Sequence, residues 1–334
     1  TLDRSSAASD VYKRQLSIAS KDIYEASYLE ASNNPFTFAA RNVGADSNGL
    51  VVSVIDKGAD YVLTLDGIPT ATTVGTEITN VGATKTARIY DWDATGNKLS
   101  IITSDTWTTA DDVENGTTDL NITGVVDWYD QQDVSVIVNG VTTTLGKWNV
   151  IAPRPGTSTY VSDRGGANDE MHVCVWDRTG SVSGTPKTLL EKFTYVSKAN
   201  DAKSAEGSIN YYPQVILEKS AYIYWGSHEG SSVMDVDGAA NGGFGLSGVS
   251  RSFDLIKYGT PLKTKETNLG REIIGTTNGS TVKYTLQGGV DGYTVARSDI
   301  LGGYDLVGDK ETVDVDYILM GPSMASTNDT VAKA

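Results

Sequence analysis

The chain has 334 residues with 42 acidic against 27 basic side chains, a formal net charge of −15. This opposes nucleic-acid and anionic-membrane binding, both of which need clustered Lys and Arg to displace counterions, and points to a soluble protein with neutral or protein partners. The single cysteine, Cys174, excludes an internal disulfide, no apolar run approaches the roughly 20 residues of a membrane helix, and no charged-then-apolar leader starts the chain.

The length is more than one core holds comfortably and suggests two domains or three; 35 Gly, only 8 Pro and many Thr and Val fit a β-rich chain with many turns. Ser5 to Gln15, SSAASDVYKRQ, reads as the in-frame translation of a transposon-type sequencing adapter, so residues 1–15 are set aside as an artefact of assembled environmental DNA. With no initiator Met at Thr1, a missing natural N-terminus is expected. Asp22 to Glu30 forms a short helix or an ordered loop. Leu50 to Ile55, nearly continuous in apolar residues between Gly49 and Asp56, is expected to be a buried strand.

From Lys57 to about Val150 the texture changes to short Thr- and Val-rich runs: Tyr61 to Leu65, Ala87 to Trp92, Leu99 to Thr103 and Asn121 to Val126. The run VSVIV-NG-VTTTL predicts a hairpin across Asn139-Gly140, because both residues tolerate the positive φ of a type I′ turn. The segment reads as a small, solvent-facing all-β insertion with few large apolar residues.

Met171 to Trp176 is apolar on both alternating sets, Met171/Val173/Val175 and His172/Cys174/Trp176, which predicts a central strand covered on both faces. Asp177 to Gly180 supplies a turn. The residues after it stay open. Thr185-Pro186 could cap a helix with Leu189, Leu190, Phe193 and Val196 at near-helical spacing, yet Thr188 to Ser197 also carries strand-formers. Gln214 to Ser220 is expected to end a short helix and Ala221 to Trp225 to form a strand. Ser227 to Gly248 reads as a Gly-rich loop, Asn278-Gly279 as a second hairpin turn, Asp316 to Met320 as a buried strand, and Ser326 onward as a helix cut short.

The run IAPRPGTSTYVSDRGGANDEMHVCVWDRTGSVSGTPKTLLEKFTYVSKANDAKS, followed by INYYPQVILEKSAYIYWG, together with FTFAARNVGADSNGLVVSVID at Phe36 to Asp56, resembles the tail sheath proteins of contractile-tailed bacteriophages of the myovirus type. With LQGGVDGY, ILGGYDLV and VDVDYILMGPS, which also match the sheath pattern, the resemblance covers about two-thirds of the chain. It implies that Leu190 to Val196 is a second strand. It also implies an α+β, β-rich fold, a mixed α/β sheath core over residues 16–57 and 151–334 with an all-β protruding domain at 58–150. The implied function is that of a structural virion protein, assembled in the host cytoplasm into a helical sheath that contracts to drive the tail tube through the host envelope for genome ejection. Implied partners are further copies of the chain, the tail tube protein, and baseplate and tail terminator proteins, with no nucleic acid, no membrane anchoring and no cofactor. Extended terminal arms join subunits in such sheaths, and neither arm is expected to be intact here. The isolated chain is therefore expected not to form tubes, which light scattering would check.

Residue constellations for chemistry fall short. His172 and Cys174 share one strand face, but only one other histidine exists, His228 in a Gly/Ser loop, so His172 is expected to be a buried, hydrogen-bonded ring and not a zinc ligand. Gly243 to Gly248 meets GxGxxG by count without the strand before it and helix after it that dinucleotide binding requires. Gly140 to Lys147 has the wrong spacing for a phosphate loop. Asp235 and Asp237 begin a calcium-like loop that fails at Ala239 and Leu246. Asp314 and Asp316 alternate with apolar residues, as on a half-exposed strand. The glycosylation-like matches at Asn115, Asn121, Asn278 and Asn328 read as turns. No catalytic, cofactor-binding or metal residue is assigned, and the chain is not expected to be an enzyme. The alternative is a β-rich adhesin or carbohydrate-binding module, resting on 58–150 and the aromatic content, with Trp107 as an exposed stacking residue. Most Trp and Tyr fall in predicted strands, which favours core or subunit-interface packing.

Overall fold

The structure, a computed structural model, describes residues 38–42, 44–67, 69–70, 76–93, 95–114, 119–138, 141–226, 271–273 and 281–289. The expected helix within 22–30, the two Asn-Gly turns, the Gly-rich run from 227 and the elements expected after 290 lie outside these residues.

The chain is β-rich. Strand β1 (Phe38–Ala40) leads through a 3-10 turn at Asp46–Gly49 into β2 (Leu50–Asp56), all seven of whose residues are buried. That total burial is why its run lacks polar alternation. Val52 and Val54 join one apolar cluster, while Val51 and Ile55 join another on the opposite face.

Strands β3 (Tyr61–Leu65), β4 (Glu77–Thr79), β5 (Thr86–Asp93), β6 (Lys98–Ile102), β7 (Asp112–Val113) and β8 (Leu120–Asp127) form a six-stranded antiparallel sheet in the order β4-β5-β6-β3-β8-β7. Its two ends meet. Glu114 N donates to Thr79 O at 2.9 Å and Val81 N to Asp112 O at 3.1 Å, with a bridge between Asn80 and Val113. The sheet therefore closes into a small barrel, which removes the unpaired edges that an open sheet would present. Leu63, Leu65, Ile89, Leu99, Ile101, Trp107 and Ile122 fill it. The scarcity of large apolar residues in this segment is real, but those present alternate inward, and each buried aliphatic side chain contributes about 1.5–3 kcal/mol.

Beyond a 3-10 turn at Tyr129–Gln131, β9 (Asp133–Val138) pairs with β10 (Val141–Lys147), Val138 facing Val141. Short helices α1 (Trp148–Ile151) and α2 (Thr159–Ser162) precede β11 (Glu170–Asp177). Both alternating sets of β11 are buried: Met171, Val173 and Val175 on the first face, His172, Cys174 and Trp176 on the second. The turn after β11 is held by Asp177, whose carboxylate accepts from the N–H groups of Gly180, Val182 and Ser183, and Gly180 takes φ 83. The residues that follow form strand β12 (Thr188–Ser197), not a helix. The near-helical spacing of Leu189, Leu190, Phe193 and Val196 arises from bulges, which shift the register of β12 against β11 twice.

Helix α3 (Tyr212–Lys219) starts one residue before Pro213, whose missing N–H costs nothing in a first turn, so the run 214–220 is the body of a helix and not only its end. β13 (Ile223–Trp225) pairs back to β1. β14 (Arg271–Ile273) and β15 (Thr281–Thr285) complete the core sheet, antiparallel throughout, in the order β12-β11-β2-β15-β14. One face of this sheet is covered by α3, β1 and β13, through Tyr212, Val215, Ile216, Phe38 and Ile223. The other is covered by the β9–β10 hairpin and the flank of the barrel, through Val134, Val136, Trp148, Val62, Tyr90 and Trp128.

Candidate functional site

Five buried polar residues of the core, Asp56, Asp169, His172, Ser197 and Lys198, lie at one end of its sheet, where the run from Pro153 to Glu170 crosses. Asp169, fully buried, accepts from Ser158 N at 2.7 Å, Ser158 Oγ at 2.8 Å and Ser197 Oγ, so it fastens the start of α2 to the end of β12. Glu170 accepts from Gly156 N at 3.0 Å, and burial raises its carboxyl pKa against that hydrogen bond. Arg154 reaches across to the barrel. Its guanidinium lies 2.6 Å from Asp127 and 3.8 Å from Asp60, and over the Tyr129 ring at 5.7 Å. The barrel's two connections to the core pass side by side here, joined by Trp128 N donating to Asp60 O at 3.2 Å.

His172 belongs to this frame. The bulge opposite it puts Tyr195 at φ 57 and turns the Tyr195 N–H away from the ladder, and His172 Nδ1 accepts that N–H at 3.0 Å. The ring's Nε2 then donates to Pro153 O at 2.8 Å. These two bonds fix the neutral tautomer, and burial depresses the pKa of the ring. With both nitrogens engaged by backbone groups, the ring acts as a bracket between a strand defect and the Pro153 loop. Cys174, on the same face, is buried with its thiol pushed up to about 12, an unreactive state for a nucleophile or ligand.

Trp107 is 2 % exposed and lies inside the barrel, which corrects the expectation that it stacks on a ligand at the surface. Trp128, Trp148 and Trp176 are buried as well, and Trp92 and Trp225 are half-buried. Asn121 is exposed on β8 and bonds Asp66. His228, Gly243 to Gly248, Asp235, Asp237, Asp314, Asp316, Asn115, Asn278 and Asn328 lie outside the described residues. Gly146 is no phosphate-binding residue but a point of contact: a Cβ there would stand 2.6 Å from the Trp176 ring, so only glycine lets the hairpin lie on the sheet.

Sequence reasoning missed the buried pair Asp56 and Lys198, along with Asp169 and Arg154. An Asp closing an apolar run and a Lys after a strand both read as solvated, and nothing local indicates that they meet.

The remaining feature is an edge. β12 is the outermost strand beside β11; its last residues bond residue 210 through Ser197 N to Asn210 O at 2.8 Å and Asn210 Nδ2 to Tyr195 O at 2.9 Å. From Thr188 to Thr194 its outer backbone has no strand partner among the described residues. Exposed Lys192 and the two bulges are devices that discourage indiscriminate pairing along such an edge. Comparison of the chain with family models, curated proteins and solved structures finds no match.

Proposed function

We propose that the chain is a subunit of a bacteriophage contractile tail sheath, a structural virion protein and not an enzyme. One observation carries the reading. Among the described residues, the runs that resemble the sheath family, 38–56 and 151–226, build β2, β11, β12, α3 and β13 of the layered core, whereas 61–127 is the separate barrel. On this reading residues 16–57 and 151–334 make a mixed α/β core and 58–150 a protruding domain. The core works through repeated contact with its own copies, head to tail without closure, which yields a filament and not a ring. Two packings of the same lattice compete, and the difference between them drives the tube through the host envelope with no nucleotide consumed. The outer edge of β12 suits such a lattice, because an added strand supplies main-chain hydrogen bonds to a neighbour. The partners are further copies, the tail tube, the baseplate and the terminator.

The gene that follows on the source DNA tests the proposal. A tail tube gene is expected immediately downstream. A neighbourhood of secreted sugar-binding or sugar-cleaving proteins, with no tail gene beside it, would overturn it.

A further inference from the structure

Lys198 is fully buried, with its Nζ 3.0 Å from Oδ2 of Asp56, itself 2 % exposed and 142 positions away in the chain. Lysine is rarely buried to this extent, because taking the ammonium out of water carries a large desolvation penalty. An amine adds to a carboxyl carbon only as the free base, and the Nζ–Oδ2 hydrogen bond is the path along which the ammonium proton passes to the carboxylate in that step. The second carboxyl oxygen of Asp56, Oδ1, accepts the backbone N–H of Gly58 at 3.1 Å. That N–H is a fixed donor at the oxygen on which negative charge grows when an amine adds to the carboxyl carbon. Nucleophile, acid and oxyanion donor thus stand together in a water-poor place, held by the ends of β2 and β12.

We propose that Lys198 and Asp56 condense to an intramolecular amide. The bond formed is Nζ–Cγ and the bond broken is Cγ–Oδ2. Two of the three ammonium protons leave with Oδ2 as water, and the third stays on the amide nitrogen. No electrons are exchanged and no second substrate is needed. Holding two groups in one geometry is equivalent to an effective concentration of roughly 10⁵ M or more. The product also removes two charges from the core. The cross-link spans β11 from the β2 side to the β12 side and closes a loop containing the whole barrel and the β9–β10 hairpin. A pull transmitted along the core then passes through a covalent bond and bypasses the inserted domain. This holds whatever the chain assembles with.

Intact mass spectrometry of the full 334-residue chain, denatured after folding, tests it. The wild-type mass is expected to fall short of the sequence mass by one water, and a protease digest should contain a branched peptide joining Asp56 to Lys198. K198R keeps a cation beside Asp56 and cannot condense in this way, so it should show the full sequence mass. In D56N the same bond would form with loss of ammonia in place of water. A folded wild-type chain at full sequence mass, or a water deficit that persists in K198R or comes without the branched peptide, would overturn the proposal.

Discussion

His172 shows how one side chain can hold a defect in place. The strand bulge at Tyr195 leaves a backbone N–H with no ladder partner, and a buried N–H left unsatisfied costs about 1–3 kcal/mol. The ring accepts it and passes the constraint to Pro153. His172→Ala should therefore remove two hydrogen bonds and open a cavity, lowering stability by about 3 kcal/mol in denaturant titration. The same ring sets a pH dependence. Its folded pKa is depressed by burial, so its contribution is complete above the usual value near 6.5 and is lost as the pH falls through the folded value, because the unfolded chain takes up a proton that the folded one resists. Asp91 acts in the opposite sense. Burial raises its carboxyl from 3.8 to about 6, and Asp93 beside it adds to the rise against the Trp92 backbone hydrogen bond. What Asp91 contributes is present below pH 3.8 and is lost as the pH rises through about 6. Asp91→Asn is accordingly expected to raise the melting temperature at pH 8 and leave it unchanged at pH 3, as thermal melts across that range would show.

At the scale of elements, the β9–β10 hairpin lies flat on the core only because Gly146 has no side chain. Trp176 cannot yield, since its Nε1 donates to Ser53 Oγ at 3.0 Å inside the core. Gly146→Val should force the hairpin off the sheet and cost about 1–3 kcal/mol, visible as a lower denaturant midpoint together with a change in Trp fluorescence. Strands of five or more residues, such as β2, β5, β6, β8 and β11, were legible because their apolar positions either alternate or run unbroken. β12 was ambiguous for a physical reason: bulges break the period of two and mimic helical spacing in Leu189, Leu190, Phe193 and Val196. The closure of the barrel was not legible, because β4 and β7 have three and two residues and are too short to carry a pattern. Trp107 looked exposed because the sequence around it is polar, whereas its ring turns into the barrel. Nor could the polar frame be read, since Asp60 and Arg154, or Asp56 and Lys198, meet only through sheet pairing over long stretches of chain.

Across the whole molecule, the apolar cluster beneath the hairpin is the joint between the two bodies. Val51, Ile55, Cys174 and Trp176 come from the core sheet, Val62, Tyr90 and Trp128 from the barrel side, with Tyr90 and Trp128 edge to face at 5.8 Å. Shared burial couples the two, so heating should give one transition by both circular dichroism and Trp fluorescence. Trp128→Ala, at about 3–5 kcal/mol of lost packing, should split it into two. The joint sits beside the pair of connections at Asp60 and Trp128, which are bonded to each other. A segment that leaves and returns at one point is an exchangeable cassette: a short splice from residue 60 to residue 128 would bridge the gap without stretching β2 or β11. Any replacement segment need only bring apolar side chains where Val62 and Tyr90 now rest to leave the core sheet untouched.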